Sequence, residues 1–353
     1  MRVLFITPRF LPEIGGVEKH VYHVSRRLTA NGYAVTILTG TRKSDLVPNE
    51  PIDGIPVYRI NLSKGSKGKF KILRDVLSVW HFIIRNFQFL INTDVIHFHD
   101  VETFLWFSPI ILLIRKPFFI TFHGFEGYPI PKVTRIFRKI SEKMVDGNIC
   151  VGQFITKWYG TKATYMTLGG VDSSELNSEF SAEFSAVFVG RLTEDTSINE
   201  YIDALRTLQE QYGIKLPLHV CGDGPLRCKI EDFAKKNNLQ IFLHGFVKNP
   251  ERYVFSCRFA FVSGYLSILE AMSLKKPVFS IYRNNLKKDY LYSIPNAQNI
   301  MFLANSSKQL AQKINSVVTC PDVANQLVEN AYVFANEHTW EKVAQIYQKL
   351  YEN

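Results

Sequence analysis

The chain has 353 residues, 46% hydrophobic and 21% charged, which is the balance of a folded protein with room for two domains. Its net charge of +10 is lopsided: residues 1–170 hold 23 Lys+Arg against 12 Asp+Glu, and residues 171–353 hold 19 against 20. The excess points to an anionic partner for the first half, either a phosphate-bearing substrate or a membrane surface, and no nucleic-acid motif accompanies it.

Apolar runs alternate with amphipathic stretches along the first half. The pattern predicts strands over 3–7, 34–38, 57–60, 94–98, 118–122 and 148–151, and helices over 16–30, 71–90, 103–113, 133–145 and 154–159. The second half repeats the theme, with strands over 186–189, 218–221, 241–243, 259–262, 278–281 and 300–302. Its helices are expected over 199–212, 226–237, 250–256, 267–274, 307–317, 322–335 and 340–351. This alternation implies two doubly wound parallel sheets of the Rossmann-like α/β class, joined near Leu168-Gly169-Gly170.

Five scattered cysteines (150, 221, 228, 257, 320) form no paired CxxC and no Cys/His cluster, so a reduced, cytoplasmic chain without a zinc site is expected. MRVLFITPRF reads as a strand opening rather than a signal peptide. The longest apolar run, 104–114, ends at Arg115-Lys116 and is short of the roughly 20 residues that a membrane span needs.

Several turns at strand ends carry chemistry. Gly15-Gly16 precede the first helix, where backbone amides favour an anion, although a plain flexible turn would look the same. His97 and His99 flank Phe98 in DVIHFHD and share one face of a strand, and His123 ends ITFHG, with Asp100 and Glu126 nearby. No helical ligand spacing supports a metal, so these are read as polar strand-end residues lining a cleft. Gly190-Arg191-Leu192 follows the strand at 186–189; Arg191 either clamps phosphate or pairs with Glu194 or Asp195. Cys221-Gly222-Asp223-Gly224-Pro225 makes another strand-to-helix turn. Finally, 258–282 reads strand, glycine turn, short helix, Pro277, strand, with Glu270 as its single acid. In the crevice beyond a strand's carboxyl end that carboxylate suits a ribose, but it equally suits the helix dipole.

Taken in order, Pro8 with Gly15-Gly16-Val17-Glu18, DVIHFHD, ITFHG, GGVD at 169–172, VGRL at 189–192, CGDGP and LEAM at 269–272 make the chain resemble the retaining glycosyltransferases of family 4 over nearly its whole length. The resemblance implies a GT-B fold, two Rossmann-like domains facing across a cleft, divided as 1–168, 169–335 and a terminal helix at 336–353 that returns to the first domain. It implies transfer of a sugar from a nucleotide-diphosphate sugar to a hydroxyl acceptor in glycan synthesis, without a metal or other cofactor. By it, Glu270 would hold the ribose, Arg191 the diphosphate, and Gly16 the diphosphate and acceptor. His123 would lie near the transferred sugar and Gly245-Phe246-Val247 beside the base. Gly222 would belong to the donor side; Gly15, His99 and Glu126 to the acceptor side.

The chain departs from the family at four places. Val262 stands where the first of two glutamates is usual, and Ser263-Gly264-Tyr265 replaces Gly-Phe-Gly. Thr196 stands where a lysine is usual, and 282–290 (YRNNLKKDY) replaces a glycine-rich phosphate loop. Lys287, or its neighbours Arg283 and Lys288, is expected to supply the missing cation. The alternatives are a non-catalytic nucleotide-binding scaffold or a sugar-nucleotide epimerase. Segments 69–90 and 132–143 mix cations with apolar residues at helical spacing. Either they rest on anionic lipid beside a lipid-linked acceptor, placing the protein peripherally at a membrane's inner face, or they pack ordinarily on the sheet; for 132–143 ordinary packing is expected.

Overall fold

The computed structural model describes residues 1–43, 45–62, 69–111, 114–124, 127–172 and 183–352. The chain opens with β1 (Arg2–Thr7), α1 (Gly16–Ala30), β2 (Ala34–Thr41), β3 (Asn49–Ile52), β4 (Ile55–Asn61), α2 (Lys69–Arg85) and α3 (Phe87–Ile91). It continues through β5 (Val95–His99), α4 (Val101–Ile111), β6 (Phe118–Phe122), α5 (Lys132–Met144), β7 (Gly147–Val151), α6 (Phe154–Tyr159) and β8 (Tyr165–Thr167). Next come β9 (Glu183–Val189), a 3-10 turn at Glu194–Thr196, α7 (Ile198–Tyr212), β10 (Leu218–Cys221), α8 (Arg227–Lys236), β11 (Ile241–Gly245) and α9 (Glu251–Ser256). The last stretch holds β12 (Cys257–Phe261), α10 (Tyr265–Ser273), β13 (Val278–Ile281), α11 (Asn285–Tyr292), α12 (Ala297–Ile300) and β14 (Phe302–Ala304). Three helices close the chain: α13 (Ser307–Thr319), α14 (Asp322–Asn336) and α15 (Trp340–Glu352).

These elements divide into two units. The first is Met1–Thr167 with Trp340–Asn353, and the second is Leu168–Thr339. In the first, eight strands run in the order β3-β4-β2-β1-β5-β6-β7-β8, all parallel except the β3–β4 pair. In the second, six parallel strands run β11-β10-β9-β12-β13-β14. The central strands are buried on both faces, as β5, β6 and β7 are throughout, which is why they read as continuous apolar runs rather than alternating ones. The second unit's core gathers Phe188, Phe259, Phe261 and Phe279 of the sheet with Tyr201 of α7, and α7 packs against α13.

Both sheets reverse strand order once. In the first unit β1 is followed by β2 on one side and later by β5 on the other, so the switch lies between β1 and β5. In the second it lies between β9 and β12. Ligands of open α/β sheets bind beyond the carboxyl ends of the strands at such points.

The elements differ from the sequence expectation in informative places. The single helix expected over 71–90 is α2 and α3, because the Asn86 side chain donates to the Phe82 carbonyl at 2.8 Å and ends the first. The strand expected at 300–302 begins only at Phe302, since residues 297–300 are helical. The strands β3 and β8 are not among those expected from the sequence, and 282–290, read there as loop, contains most of α11. Its Asn284 side chain accepts from Lys287 N at 2.8 Å, a helix N-cap. The ordinary packing expected for 132–143 is overturned: on α5 the buried residues are Arg138 and Ser141, and the apolar ones face outward.

Candidate active site

In the first unit the residues at the switch point are built on β1, β5 and β6. Gly15 caps α1 in extended conformation and Gly16 is its first residue. A Cβ on Gly15 would lie 2.5 Å from Glu18 Oε2, whereas one on Gly16 would meet nothing within 4 Å. Gly15 therefore accommodates its own helix, and Gly16 is the glycine with open space before it.

His97 and His99 do share a face, but they do not line a cleft: both are fully buried. α15 carries Tyr347 and Tyr351, one turn apart, over them. Tyr351 OH lies 2.9 Å from His97 Nδ1, and His97 Nε2 lies 2.7 Å from Thr121 Oγ1. Tyr347 OH lies 2.8 Å from Thr121 Oγ1 and 2.9 Å from His20 Nε2. His99 Nδ1 meets His123 Nε2 at 2.9 Å, so one ring donates and the other accepts. Burial holds His20, His97 and His99 well below the ordinary imidazole range. The half-buried His123 is pushed down to about 3 by burial and then by the neighbouring Arg138 guanidinium. All four imidazoles are neutral at physiological pH, which suits hydrogen bonding rather than proton donation from an imidazolium.

His123 is also fixed through its backbone. Its N–H donates to Asp100 Oδ1 at 2.9 Å. Asp100 sits at φ 68°, a left-handed conformation uncommon outside glycine, and Thr103 Oγ1 donates to its carbonyl at 2.9 Å. Burial raises the Asp100 carboxyl, opposed by Arg138 and by that backbone hydrogen bond. The sequence reading did not single out Thr121, Arg138, Tyr347 and Tyr351; only the i,i+4 tyrosines of the last helix hinted at a face. Glu126 lies outside the described residues.

In the second unit five neighbouring strands, β11 to β13, bring Gly245, Gly222, Arg191, Ser263 and Lys287 to one edge. Gly222 has a close-packing role: a Cβ there would lie 1.8 Å from the Gly190 carbonyl oxygen, and one on Gly224 would lie 2.5 Å from that of Leu192. Leu192 N donates to Asp223 O at 3.0 Å, so the two glycine turns lock together and fix the Arg191 backbone. Gly245 takes φ 69°, Phe246 is 72% exposed, and Val247 follows half-buried.

Arg191 is exposed and its guanidinium donates to Asp195 at 2.9 Å, one of the two partners expected. The other, Glu194, pairs instead with Arg283 at 3.2 Å, and Arg283 also reaches Glu200 at 2.8 Å. Those pairs occupy Arg283, and Lys288 lies near the Tyr292 ring. Of the three candidate cations, Lys287 is the one that feels the Arg191 charge. Its Nζ donates to the Ser263 carbonyl at 2.6 Å and lies 4.1 Å from the Tyr290 ring centre. Ser263 Oγ donates to the Thr196 carbonyl at 3.3 Å, and Thr196 Oγ1 donates to that of Arg191 at 2.8 Å. Lys287 thus joins the residue that stands in for the missing lysine. Burial pushes its ammonium down to about 8, with Asp195 opposing and Arg191 assisting.

Glu270 is the sixth residue of α10, past its first turn, which removes most of the helix-dipole reading. Val262 is fully buried, and its carbonyl accepts from Tyr201 OH at 3.2 Å. Tyr290 OH accepts from Tyr265 N at 2.9 Å, at the start of α10, with the two rings stacked 3.9 Å apart. Among the described residues no group of three or more His, Cys, Asp or Glu side chains could hold a metal ion, and no helix is long and apolar enough to cross a membrane. An open groove of about 1060 Å³ beside α2, lined by Arg59, Trp80 and His81 among others, contains none of the candidate residues.

Comparison with known proteins assigns this architecture. The family model Glycosyltransferase Family 4 matches residues 14–163, and Glycosyl transferases group 1 matches 175–334. An uncharacterized glycosyltransferase of Methanocaldococcus jannaschii is 25% identical, covering 97% of this chain and 96% of its own. A Campylobacter jejuni α-1,4-N-acetyl-D-galactosaminyltransferase, named for an undecaprenyl-diphosphate-linked saccharide acceptor, is 24% identical over 62% of this chain and 63% of its own. Among solved structures, sucrose-phosphate synthase from Thermosynechococcus elongatus superposes with a TM-score of 0.81 at 17% identity, covering 99% and 98% of the two chains. Anabaena HepE in complex with UDP and glucose gives 0.79 at 15% identity over 100% of both. With both family models placed in order along the two α/β units, the chain belongs to the group 1 glycosyltransferases of the GT-B fold.

Proposed function

We propose that this enzyme transfers a sugar, with retention of anomeric configuration, from a uridine-diphosphate sugar to a hydroxyl of a lipid-linked saccharide in cell-surface glycan synthesis. The observation that carries the donor reading is the hydrogen-bonded chain that runs from Lys287 through Ser263 and Thr196 to the Arg191 carbonyl, beyond the carboxyl ends of β9, β12 and β13. Two cations at one strand edge, one of them dehydrated, suit a diphosphate whose charge grows as it leaves. A single well-placed donor of this kind is worth about 3–4 kcal/mol in the transition state.

In this reading Lys287 substitutes for the lysine replaced by Thr196. Glu270 accepts the ribose hydroxyls, and Gly245-Phe246-Val247 flank the base. Gly16 and neutral His123 serve the diphosphate, transferred sugar and acceptor, with His99 and Asp100 orienting His123. No metal is invoked, because two cations already answer the diphosphate. Uridine is chosen because the structurally similar Anabaena HepE is complexed with UDP and glucose. The lipid-linked acceptor is chosen because the Campylobacter relative is named for one.

Buried Val262, where the family's first glutamate would hold the sugar, favours a second reading as a non-catalytic nucleotide-binding scaffold. A thermal-shift screen of nucleoside diphosphates and their sugars, followed by radiolabel transfer to a membrane lipid extract, decides. The transferase reading expects a raised melting point with UDP and one UDP-sugar, and label in lipid. Stabilisation by UDP without turnover of any UDP-sugar leaves the scaffold. A melting point unmoved by any nucleotide removes both.

A further inference from the structure

Helix α5 presents its apolar residues outward. Val133, Ile136, Phe137 and Ile140 are 59%, 57%, 38% and 42% exposed. Spacings of three and four residues gather them into one stripe along the helix. Lys132, Arg135, Lys139 and Lys143 are also exposed and run as a second stripe beside it. A globular protein ordinarily turns the apolar stripe of such a helix to its core. Here the core side is held by Arg138, whose guanidinium lies 4.7 Å from the Phe122 ring centre and 4.1 Å from that of Tyr159. It donates to the Gly124 carbonyl at 3.3 Å.

We propose that the outer face of α5 seats the protein on an anionic phospholipid surface. Charge complementarity selects that occupant. A row of cations alongside an apolar stripe matches the phosphates and the acyl boundary of a bilayer, into which such a stripe sinks about 5–10 Å. Among the described residues no ion pair holds Lys132, Arg135 or Lys143. Tyr128, half exposed with its ring 6.0 Å from Trp158, adds an aromatic of the kind that gathers at lipid headgroups. The inner face of the same helix braces Phe122 and Gly124, the two neighbours of His123. Docking therefore holds the His123 end of β6 about one helix diameter, roughly 10 Å, from the lipid. This deepens the reading of a lipid-linked acceptor and rests on that reading for its purpose, while the binding itself requires no turnover.

The test is co-sedimentation of the full chain with vesicles of phosphatidylcholine alone and of phosphatidylcholine mixed with phosphatidylglycerol, at low and high salt. The wild type is expected on the anionic vesicles only, and less at high salt. I136D/F137D is expected to bind at least about tenfold more weakly, and removal of Lys132, Arg135 and Lys143 to cost roughly fivefold per cation. Because these side chains face outward, the melting point and UDP binding should match the wild type. Absence of wild-type binding at low salt, or binding that both variants retain, would overturn the proposal. So would a dimer in vesicle-free sedimentation that I136D/F137D dissolves, which would give the face to a second copy. A wild type that binds vesicles but neither UDP nor any UDP-sugar would sink the transferase reading and leave the membrane proposal standing.

Discussion

The two sheets present opposite chemistry at their carboxyl ends. In the first unit the strand ends lead to neutral imidazoles packed under tyrosines in a hydrogen-bonded network, with buried Arg138 and Asp100 at its margin. In the second they lead to Arg191, paired with Asp195 at the surface, and to the buried ammonium of Lys287. The contrast teaches that one scaffold can serve two tasks by what it places after its strands. Under the proposed function the first sheet orients a hydroxyl acceptor through rigid, neutral hydrogen-bonding groups. The second would hold a diphosphate with positive charge kept partly dehydrated, so that the anion gains more from meeting it.

The comparison can be broken at several points. The largest effect is expected from Gly222→Ala, whose Cβ would strike the Gly190 carbonyl at 1.8 Å. Separating the locked turns should cost at least about 4 kcal/mol, read as collapse of the second unit in hydrogen exchange with the first intact. Acid should do the reverse. His20, His97, His99 and His123 have folded pKa values below the 6.5 of a free imidazole, so their stabilisation is complete above pH 6.5 and is lost as pH falls below it. Asp100, raised by burial, moves the other way but is a single group. The second unit's His219 and His244 are also lowered but only half-buried, so its loss is smaller. Hydrogen exchange at pH 5 against pH 7.5 should show the first unit opening first; equal protection would contradict the neutral network.

Next in size is Arg191→Ala, expected to lower kcat by about 10²–10³ with little change in melting point, since its ion pair with Asp195 is exposed. Smallest is Tyr347→Phe. Loss of the hydroxyl leaves Thr121 and His20 without that partner and should cost about 1–3 kcal/mol in chemical denaturation.

The sequence carried the fold because parallel strands buried on both faces read as apolar runs, and because the glycine turns stand at strand ends in a recognisable order. Lys287 was legible as a cation in an atypical loop, yet its choice over Arg283 and Lys288 depends on the Asn284 cap that sets the phase of α11. The histidine–tyrosine network was not legible, since its tyrosine hydrogen bonds join residues separated by 226 to 327 positions. Nor could periodicity tell which way α5 faces: the stripe was visible, but its direction is set by Arg138 lying between Phe122 and Tyr159.

The central claim, that Lys287 supplies the missing cation, is tested most directly by calorimetric titration of UDP into the wild type and Lys287→Met across pH 6.5–9.5. Depression of the ammonium from 10.5 to about 8 means that burying its charge costs about 3 kcal/mol near neutral pH. The folded pKa lies below the unfolded one, so that cost is full below pH 8 and is relieved as pH rises toward 10.5. Lys287→Met should therefore melt no lower than the wild type at pH 7 while binding UDP at least about tenfold more weakly. Wild-type affinity should fall as pH passes 8, because the diphosphate binds the protonated form, and the variant's should stay flat. Equal affinity and equal pH dependence in the two proteins, with binding abolished by Arg191→Ala alone, would contradict the account.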